Sequence, residues 1–414
     1  MLELFDMAKR FETPKGLTLS TPKGFRDFLP SQASARAFLL EKLIKTFGRF
    51  GFEPLETPAI EFAETLKGKY GGEEKLIYKF TDRGGRNLAL RYDLTVPLAR
   101  YIANNKPPFP FKRYQIGNVF RAENPQRGRY REFTQIDLDI VGSPSLLAAT
   151  EIITVAKTAL EDIGFKNFVI NVNDREIFKD MSAETIRVID KIKKISLSKA
   201  KEELKNKGIS DPLRTIESIK RSKPTQKIND LFSLLEKLKI SKEKVRFEPT
   251  LARGLDYYTG IIFELEVKSY ENLSIGGGGQ YDNLIEKFSG KKTPAVGFSF
   301  GFDRLLEAAE RLVLIPSYSS SSRVLVTIFN GKLLPQSLSL VTNLRNQGIA
   351  AEVALDAGEK LEKQLKYADN KGIPFAAILG PKELESGTIT LKNLSEKTQS
   401  TFTLAQAIEK MKSA

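Results

Sequence analysis

Four arginines fall within eleven consecutive residues, and this density suggests chemistry on phosphate. They are Arg121, Arg127, Arg129 and Arg131. Asn124, Pro125 and Gly128 lie between them and favour a turn. A guanidinium can bind two phosphate oxygens at once, so a phosphate-binding loop is one interpretation. Basic runs are also common on solvated surfaces, and this stretch alone leaves both interpretations equally open.

The segment after this loop alternates apolar and polar residues. The apolar set is Ile136, Leu138 and Ile140, and the polar set is Gln135, Asp137 and Asp139. A period of two predicts a β-strand with one apolar face and one face that carries an amide and two carboxylates. Such a polar face contacts water or a ligand, so residues 113–141 are predicted to form a hairpin with a ligand-facing side.

A third candidate site is Leu251–Gly260, which reads Leu-Ala-Arg-Gly-Leu-Asp-Tyr-Tyr-Thr-Gly and precedes a predicted strand, Ile261–Val267. An apolar core rarely needs an arginine, an aspartate and two tyrosines together, because each buried polar group requires a partner. The decapeptide therefore favours a ligand site. Its candidate residues are Arg253, Tyr257 and Tyr258.

The composition limits the possible chemistry. The 414 residues contain no Cys and no His, which excludes thiolate or imidazole zinc sites, disulfides and nucleophiles activated by histidine. Phosphoryl or nucleotidyl transfer remains open, since positioning and charge stabilisation dominate there. The net charge of +14 favours a polyanionic partner, nucleic acid before membrane. The first sixteen residues have no apolar core, so we expect no secretory signal, no membrane span and a cytoplasmic protein.

Alternating helix and strand patterns surround these candidates. Predicted helices cover about residues 31–50, 146–163, 333–347 and 361–371, and predicted strands cover 52–60, 168–172, 324–328, 350–353 and 375–379. A strand runs into a helix over Leu88–Arg100 and again over Pro294–Arg304. Residues 171–245 hold 19 Lys and Arg against 12 Asp and Glu, which predicts a basic helical insertion. The glycine run 276–279 reads as a turn or as a site of close backbone approach to a ligand.

The order of these motifs resembles class II aminoacyl-tRNA synthetases, and Leu251–Gly260 resembles the signature of the histidyl-tRNA synthetase family. Residues 31–60 are similar to motif 1, Phe120-Arg121-Ala122-Glu123 to motif 2 and Phe302-Asp303-Arg304 to motif 3. The resemblance implies an α+β fold: a class II antiparallel-sheet catalytic domain with a helical insertion, plus a C-terminal α/β anticodon-binding domain. The implied segments are an N-terminal extension 1–20, catalytic parts 21–170 and 246–314, an insertion 171–245, a linker 315–323 and the anticodon-binding domain 324–414.

The resemblance also implies an enzyme that activates histidine with ATP and Mg²⁺ and then charges histidine tRNA, as a homodimer with no membrane partner. The implied catalytic residues are Arg121, Arg253 and Arg304. ATP would contact Arg121, Glu123, Phe133 and Arg304, and Mg²⁺ would bind mainly through ATP phosphates. Histidine would contact Asp93, Thr95, Gln135, Asp139, Arg253, Tyr257, Tyr258 and Tyr281. The tRNA acceptor end would meet Gln126, Arg127 and Arg129.

Three positions depart from the usual family pattern. Gln280 stands where arginine is usual, Thr134 where some members have histidine, and Asp139 where many have glutamate. Aspartate reaches one methylene less, and either a backbone adjustment or a bridging water would compensate. The lack of histidine has two open explanations: synthesis while histidine is scarce, or deliberate removal. The alternative function is that of a non-catalytic paralogue that senses histidine and regulates ATP phosphoribosyltransferase; such proteins generally lose the intact signature and the anticodon domain.

Overall fold

The arginine-rich loop joins two long strands of a large sheet, as the sequence predicts. The computed structural model describes residues 18–126, 128–192, 195–253, 257–268, 270, 274–316 and 320–413. The chain divides into two compact units. The first contains residues 39–315 and the described residues before Phe28, and the second contains residues 28–38 and 316–414.

The strands of the first unit form two sheets. In chain order they are β1 Glu53–Pro54, β2 Ile60–Phe62, β3 Lys79–Thr81, β4 Asn87–Leu90, β5 Phe111–Phe120, β6 Glu132–Val141, β7 Phe168–Asp174, β8 Val245–Phe247, β9 Ile261–Val267, β10 Ser274–Gln280 and β11 Ala295–Gly301. The larger sheet has the order β1-β5-β6-β11-β10-β9-β7-β8, and β2, β4 and β3 form a small antiparallel sheet. The large sheet is antiparallel except at its edges, where β1 runs parallel to β5 and β8 parallel to β7.

The helices in chain order up to residue 311 are α1 Pro30–Arg49, α2 Ala63–Leu66, α3 Thr95–Asn105, α4 Leu146–Ile163, α5 Ala183–Asp190, α6 Leu197–Asn206, α7 Pro212–Lys220, α8 Gln226–Lys237, α9 Glu286–Ser289 and α10 Phe302–Arg311. Helices α4 and α10 pack on β6, where Ile136 and Leu138 have no exposed surface. The apolar face of β6 is therefore core, and its polar face is free for a site.

Cross-strand register places the polar residues of three strands in rows. On β5, β6 and β11 the rows are Arg113–Asp139–Gly297, Gln115–Asp137–Ser299 and Gly117–Gln135–Gly301. Directly opposed residues on neighbouring strands point to the same face of a sheet. One face of the sheet centre thus carries a guanidinium, two carboxylates and two amides, with glycines that leave space above them.

The basic insertion is helical, as predicted. Helices α5 to α8 lie between residues 183 and 237, and the breaks predicted at 208–212 and at Pro224 separate α6, α7 and α8. Each of the four helices begins with a side-chain cap, from Ser182, Ser196, Asp211 and Thr225. Such caps satisfy backbone N–H groups that have no partner within the helix.

The second unit contains a five-stranded mixed sheet in the order β13-β12-β14-β15-β16. Its strands are β12 Val324–Val326, β13 Ala351–Val353, β14 Phe375–Ile378, β15 Ile389–Asn393 and β16 Thr398–Phe402, and the helices are α11 Leu334–Asn346, α12 Leu361–Lys371, α13 Pro381–Ser386 and α14 Leu404–Ser413. The predicted strand–helix alternation is confirmed for β12 to β14, whose pairings are parallel.

Two sequence interpretations were wrong. Residues 52–60 do not form one strand, because β1 and β2 are separate and the chain between them, which includes Pro58, is irregular. The glycine run is not a turn: Gly276, Gly277, Gly278 and Gly279 lie inside β10, paired on both sides with β9 and β11. Among the described residues, no helix is both long and apolar enough to cross a bilayer.

Candidate active site

Most of the predicted site residues line one cavity of about 420 Å³ in the first unit. They are Asp93, Thr95, Arg121, Glu123, Arg129, Phe133, Gln135, Asp139, Arg253, Tyr257, Tyr258, Tyr281 and Arg304. Gln126 is exposed and does not line it. Arg127 lies outside the described residues. The cavity joins segments from every candidate motif, so a shared ligand site explains residues that are far apart in sequence.

One wall of the cavity is basic. The Arg121 Nε donates to the Tyr92 carbonyl at 3.1 Å, and its guanidinium lies 4.3 Å from the Tyr92 ring centre. Arg304, in the first turn of α10, donates to the carbonyls of Gly128 and Ser274 at 3.3 and 3.2 Å. These contacts fix both groups while leaving guanidinium N–H groups for a ligand. Positively charged forks at a helix N-terminus suit phosphate.

Arg253 completes the basic wall from an unusual backbone position. Its φ of 55° lies in the left-handed region, which costs a residue with a side chain about 1 kcal/mol. Its Nη1 lies 3.5 Å from the Glu264 Oε1 across β9. A Cβ added to Gly277 would lie 2.0 Å from this Nη1, so β10 needs glycine there for Arg253 to cross it. The glycine run thus makes room for a protein side chain as well as for a ligand.

A separate corner of the cavity holds Glu123, Arg129 and Phe133. The Arg129 Nη1 lies 3.5 Å from the Glu123 Oε2. The Arg121 guanidinium lies 5.0 Å from the centre of the Phe133 ring, so Arg121 sits between the rings of Tyr92 and Phe133. Flat aromatic and guanidinium surfaces of this kind can stack on a nucleobase.

Another part of the cavity is acidic and buried. Asp93 Oδ1 accepts from the Tyr70 hydroxyl and from the Val96 backbone N–H, each at 3.0 Å, while burial raises the pKa of Asp93. Gln135 Nε2 donates to the Ser299 Oγ at 3.0 Å. Within the described chain, Asp93 Oδ2 and Gln135 Oε1 have no hydrogen-bond partner. Two buried acceptors that lack donors in one cavity indicate a ligand that supplies donors.

Asp137 and Asp139 share a single buried guanidinium. Arg113 has no exposed surface, and its Nη2 lies 2.7 Å from the Asp139 Oδ2 and 4.0 Å from the Asp137 Oδ2. Burial raises the pKa of Asp137 to about 7, with Arg113 opposing and Asp139 reinforcing the rise. Burial also raises the pKa of Asp139, against the effect of Arg113. Two carboxylates with one counter-charge leave this end of the cavity short of positive charge.

Three tyrosines close the acidic end. The Tyr281 hydroxyl donates to the Asp139 Oδ1, and a Cβ on Gly297 would collide with that oxygen at 2.0 Å. The ring centres of Tyr257 and Tyr258 are 4.9 Å apart, and Tyr257 lies 6.1 Å from Tyr281. Burial is the main cause of the raised pKa of Tyr258. Its neutral hydroxyl can therefore donate or accept a hydrogen bond.

Several polar residues that line the cavity were not among the predicted site residues, including Asp137, Asp190, Glu264 and Ser299. Asp137 carried a usable signal, because it alternates with Gln135 and Asp139 on the same face of β6. Ser299 follows from cross-strand pairing, which a single sequence does not supply. Asp190, the last residue of α5, brings the insertion to the site.

The described acidic residues of the cavity are too dispersed to form a metal site of their own. Among the described residues, no three acidic side chains converge closely enough to hold an ion by themselves. Mg²⁺ that arrives with a nucleotide needs only one or two carboxylates, since phosphate and water oxygens complete its shell. Glu264 on the cavity wall beside Arg253 offers such a carboxylate.

Nearly the whole chain resembles proteins of known families. Residues 24–211 and 188–305 match the histidyl-tRNA synthetase family, and residues 323–414 match the anticodon binding domain. A histidine–tRNA ligase of Cytophaga hutchinsonii is 38% identical, over 95% of this chain and 99% of that protein. The chain belongs to the histidyl-tRNA synthetase family. The expected resemblance is confirmed.

Further relatives agree with this family assignment. A histidine–tRNA ligase of Helicobacter acinonychis is 38% identical over 92% of this chain and 94% of that protein. The crystal structure of histidyl-tRNA synthetase from Nostoc sp. PCC 7120 has a TM-score of 0.82 and 30% identity, over 96% of this chain and 99% of that one. The predicted fold class, a class II catalytic domain followed by an anticodon-binding domain, is confirmed.

Proposed function

We propose that this protein is an ATP-dependent histidine–tRNA ligase. It joins histidine to ATP to give histidyl-adenylate and pyrophosphate, and then passes the histidyl group to the terminal ribose of histidine tRNA. The observation that carries this proposal is one cavity lined both by three arginines and by buried, partly unpaired acceptors. Phosphates match the arginines, and the donor groups of an amino acid match the acceptors.

The arginines supply charge stabilisation during adenylate formation. The histidine carboxylate attacks the α-phosphorus and pyrophosphate leaves, so negative charge grows on the α-phosphate oxygens. Arg121 and Arg253 stabilise this charge, and Arg304 at the start of α10 holds the γ-phosphate. Glu123 and Phe133 position the adenine, Phe133 by stacking. Mg²⁺ would be held mainly through the phosphates, with Glu264 as a protein carboxylate within the cavity, and would supply further charge neutralisation.

The acidic end recognises the amino acid. Asp93, Thr95 and Gln135 bind the ammonium group, for which Asp93 Oδ2 and Gln135 Oε1 are free acceptors. Tyr258 and the carboxylate pair of β6 lie at the imidazole end, with Tyr257 and Tyr281 packed beside them. A substrate without the ring nitrogens would leave buried groups unpaired, which is a strong basis for specificity.

The rest of the chain serves tRNA and assembly. Gln126, Arg127 and Arg129 meet the acceptor end, the insertion 171–245 adds basic surface, and residues 324–414 bind the anticodon. The catalytic parts are 21–170 and 246–314, with an extension 1–20 and a linker 315–323. The functional protein is a cytoplasmic homodimer. The match of residues 323–414 to the anticodon binding domain supports the tRNA role.

ATP–pyrophosphate exchange with each amino acid in turn tests the activation step. We expect exchange with histidine alone, and its loss on Arg253→Ala. The control is Arg221→Ala, since Arg221 lies on the insertion surface with 83% of its side chain exposed. Charging of histidine tRNA then tests the second step.

The same experiment tests the alternative function. A histidine-sensing paralogue would bind histidine yet give no exchange with any amino acid. That outcome would overturn the proposed activity. The retained Arg121, Arg253 and Arg304 in one cavity favour the enzyme, because a sensor of histidine has no need for three phosphate-binding groups.

A further inference from the structure

Both carboxylate oxygens of Asp139 have a close protein neighbour. Its Oδ1 accepts from the Tyr281 hydroxyl, and its Oδ2 forms the 2.7 Å ion pair with Arg113, although without the alignment of a hydrogen bond. The side chain is also one methylene shorter than the glutamate that many family members have. Both its length and its partners hold this carboxylate against Arg113 and Tyr281.

Asp137 is held less closely than Asp139. Its side chain is buried and lines the cavity, and its only charged neighbour within ion-pair distance in the described chain is Arg113 at 4.0 Å. The Ser299 hydroxyl hydrogen-bonds to the carboxylate, and Ser299 in turn accepts from Gln135. Oδ1 has no partner among the described residues. A buried carboxylate oxygen without a donor is costly unless a ligand supplies one.

The register of the sheet places Asp137 between the two ends of the amino-acid site. Gln135, two residues earlier on the same face of β6, is the ammonium acceptor, and Asp139 is two residues later. Residues two apart on a strand are separated by about 7 Å. Histidine spans a similar distance from its ammonium group to its ring, so the middle carboxylate is within reach of the ring.

We propose that Asp137 is the specificity-determining carboxylate of this cavity: it accepts a hydrogen bond from an imidazole N–H of the bound histidine. This inference rests on the proposed function and deepens it. Arg113 and Asp139 are positioning residues, because Arg113 holds Asp139 and supplies the partial counter-charge that keeps Asp137 near it. The arrangement compensates for the short Asp139 without a backbone adjustment or a bridging water.

The test compares two ligands by calorimetry in the full-length protein. Histidine has a ring N–H, whereas 4-thiazolylalanine is similar in shape and has sulfur in its place. We expect Asp137→Asn to weaken histidine binding about 10- to 100-fold, the usual worth of a hydrogen bond to a charged group, and to change thiazolylalanine binding less than about 3-fold. Asp139→Asn, which disturbs positioning, should weaken both ligands by similar factors.

An equal loss of both ligands on Asp137→Asn, or an unchanged histidine affinity, would overturn the inference. ATP affinity serves as the folding control. If Asp137→Asn does not fold, Ser299→Ala keeps both carboxylates and removes the hydroxyl that contacts Asp137 and Gln135. The change at Gln135 affects the ammonium group of both ligands alike, so the variant should still weaken histidine more than the analogue, and an equal effect would count against the inference. This test measures ligand affinity and does not require enzyme activity. A failure of ATP–pyrophosphate exchange would therefore overturn the proposed function without affecting the test of Asp137.

Discussion

At the scale of single residues, the site depends on charges that the fold keeps partly unpaired. Arg113 is fully buried beside two carboxylates, and Asp93 and Asp137 each keep an oxygen without a donor in the described chain. Such groups destabilise the empty protein and gain their partners when the ligand binds. At these positions, the same side chains lower the stability of the empty protein and strengthen ligand binding.

Asp137→Asn is expected to stabilise the empty protein at alkaline pH. The pKa of Asp137 is raised to about 7, against about 3.9 for an unfolded aspartate. Between these values the native state holds a proton that the unfolded state has lost, so stability falls as the pH rises through this window and stays low above it. The substitution should raise Tm by about 3 °C or more at pH 8, and by less at pH 4.5.

Thermal melts of Asp137→Asn and wild type at both pH values measure this difference. Asp180→Asn is the control, because Asp180 is exposed. This substitution should change Tm by the same amount at pH 8 and at pH 4.5. A loss of stability at pH 8 would show that Asp137 is held by donors in the empty protein.

At the scale of elements, strand register accounts for most of the site. The rows across β5, β6 and β11 put Asp137 beside Ser299 and Asp139 beside Gly297. β10 passes under Arg253 only because its residues have no side chains there. Small residues are placed where a long functional side chain must cross a strand.

Gly277→Ala should impair catalysis and also strain the pairing of β10 with β9. The added methyl would lie 2.0 Å from Arg253 Nη1 and 2.7 Å from the Phe263 carbonyl, so both the guanidinium and the backbone of β9 must shift. A displacement of about 1 Å at a catalytic group can cost about 100-fold in rate, and exchange activity should fall by that order. Gly48→Ala is the matched control, because a methyl group added there would have open space within 4 Å. Equal exchange rates in the two variants would contradict this role of the glycine.

Arg304→Ala should affect the binding of ATP and not that of histidine. Arg304 lies in the first turn of α10, where its guanidinium contacts the carbonyls of Gly128 and Ser274, so the KM for ATP should rise about 10- to 100-fold while histidine binding stays unchanged. Steady-state exchange with each substrate varied in turn measures the split. Arg311→Ala, in the last turn of the same helix, serves as control. A matching loss of histidine affinity would indicate that Arg304 supports the whole cavity.

Local sequence patterns predicted many helices and strands well. They failed where pairing with distant strands determined the backbone conformation. Helix α4 and strand β9 have the predicted bounds, 146–163 and 261–267, because an apolar period and a Gly boundary mark them. The strand β10 could not be predicted, since glycine disfavours strands in isolation and only the pairing with β9 and β11 holds it extended. Asp137 was visible as part of a polar face, but its open oxygen depends on what Arg113 and Tyr281 contact.

At the scale of the whole molecule, charge is distributed unevenly. Residues 171–245 carry a net charge of +7, half of the +14 of the chain. Lys199, Lys205 and Lys220 are exposed on this insertion. Replacing all three with Glu should weaken histidine tRNA binding at least about tenfold and reduce its salt dependence, while exchange without tRNA stays unchanged.

Filter binding over a range of salt concentrations measures this effect. The control reverses the charge of Lys67, Lys291 and Lys292, which are exposed outside the insertion. The same loss of tRNA affinity in both triple variants would mean that overall charge, not the insertion, attracts the tRNA.

The acidic rows and the histidine-free composition together give the protein a spectroscopic advantage. With no imidazole in the chain, every imidazole signal in a nitrogen-15 magnetic resonance spectrum of untagged protein belongs to the bound amino acid. The two ring nitrogens have distinct chemical shifts in each tautomer and in the cation. The protonation state chosen by Asp137, Asp139 and Tyr258 can therefore be observed directly during the catalytic cycle, free of background.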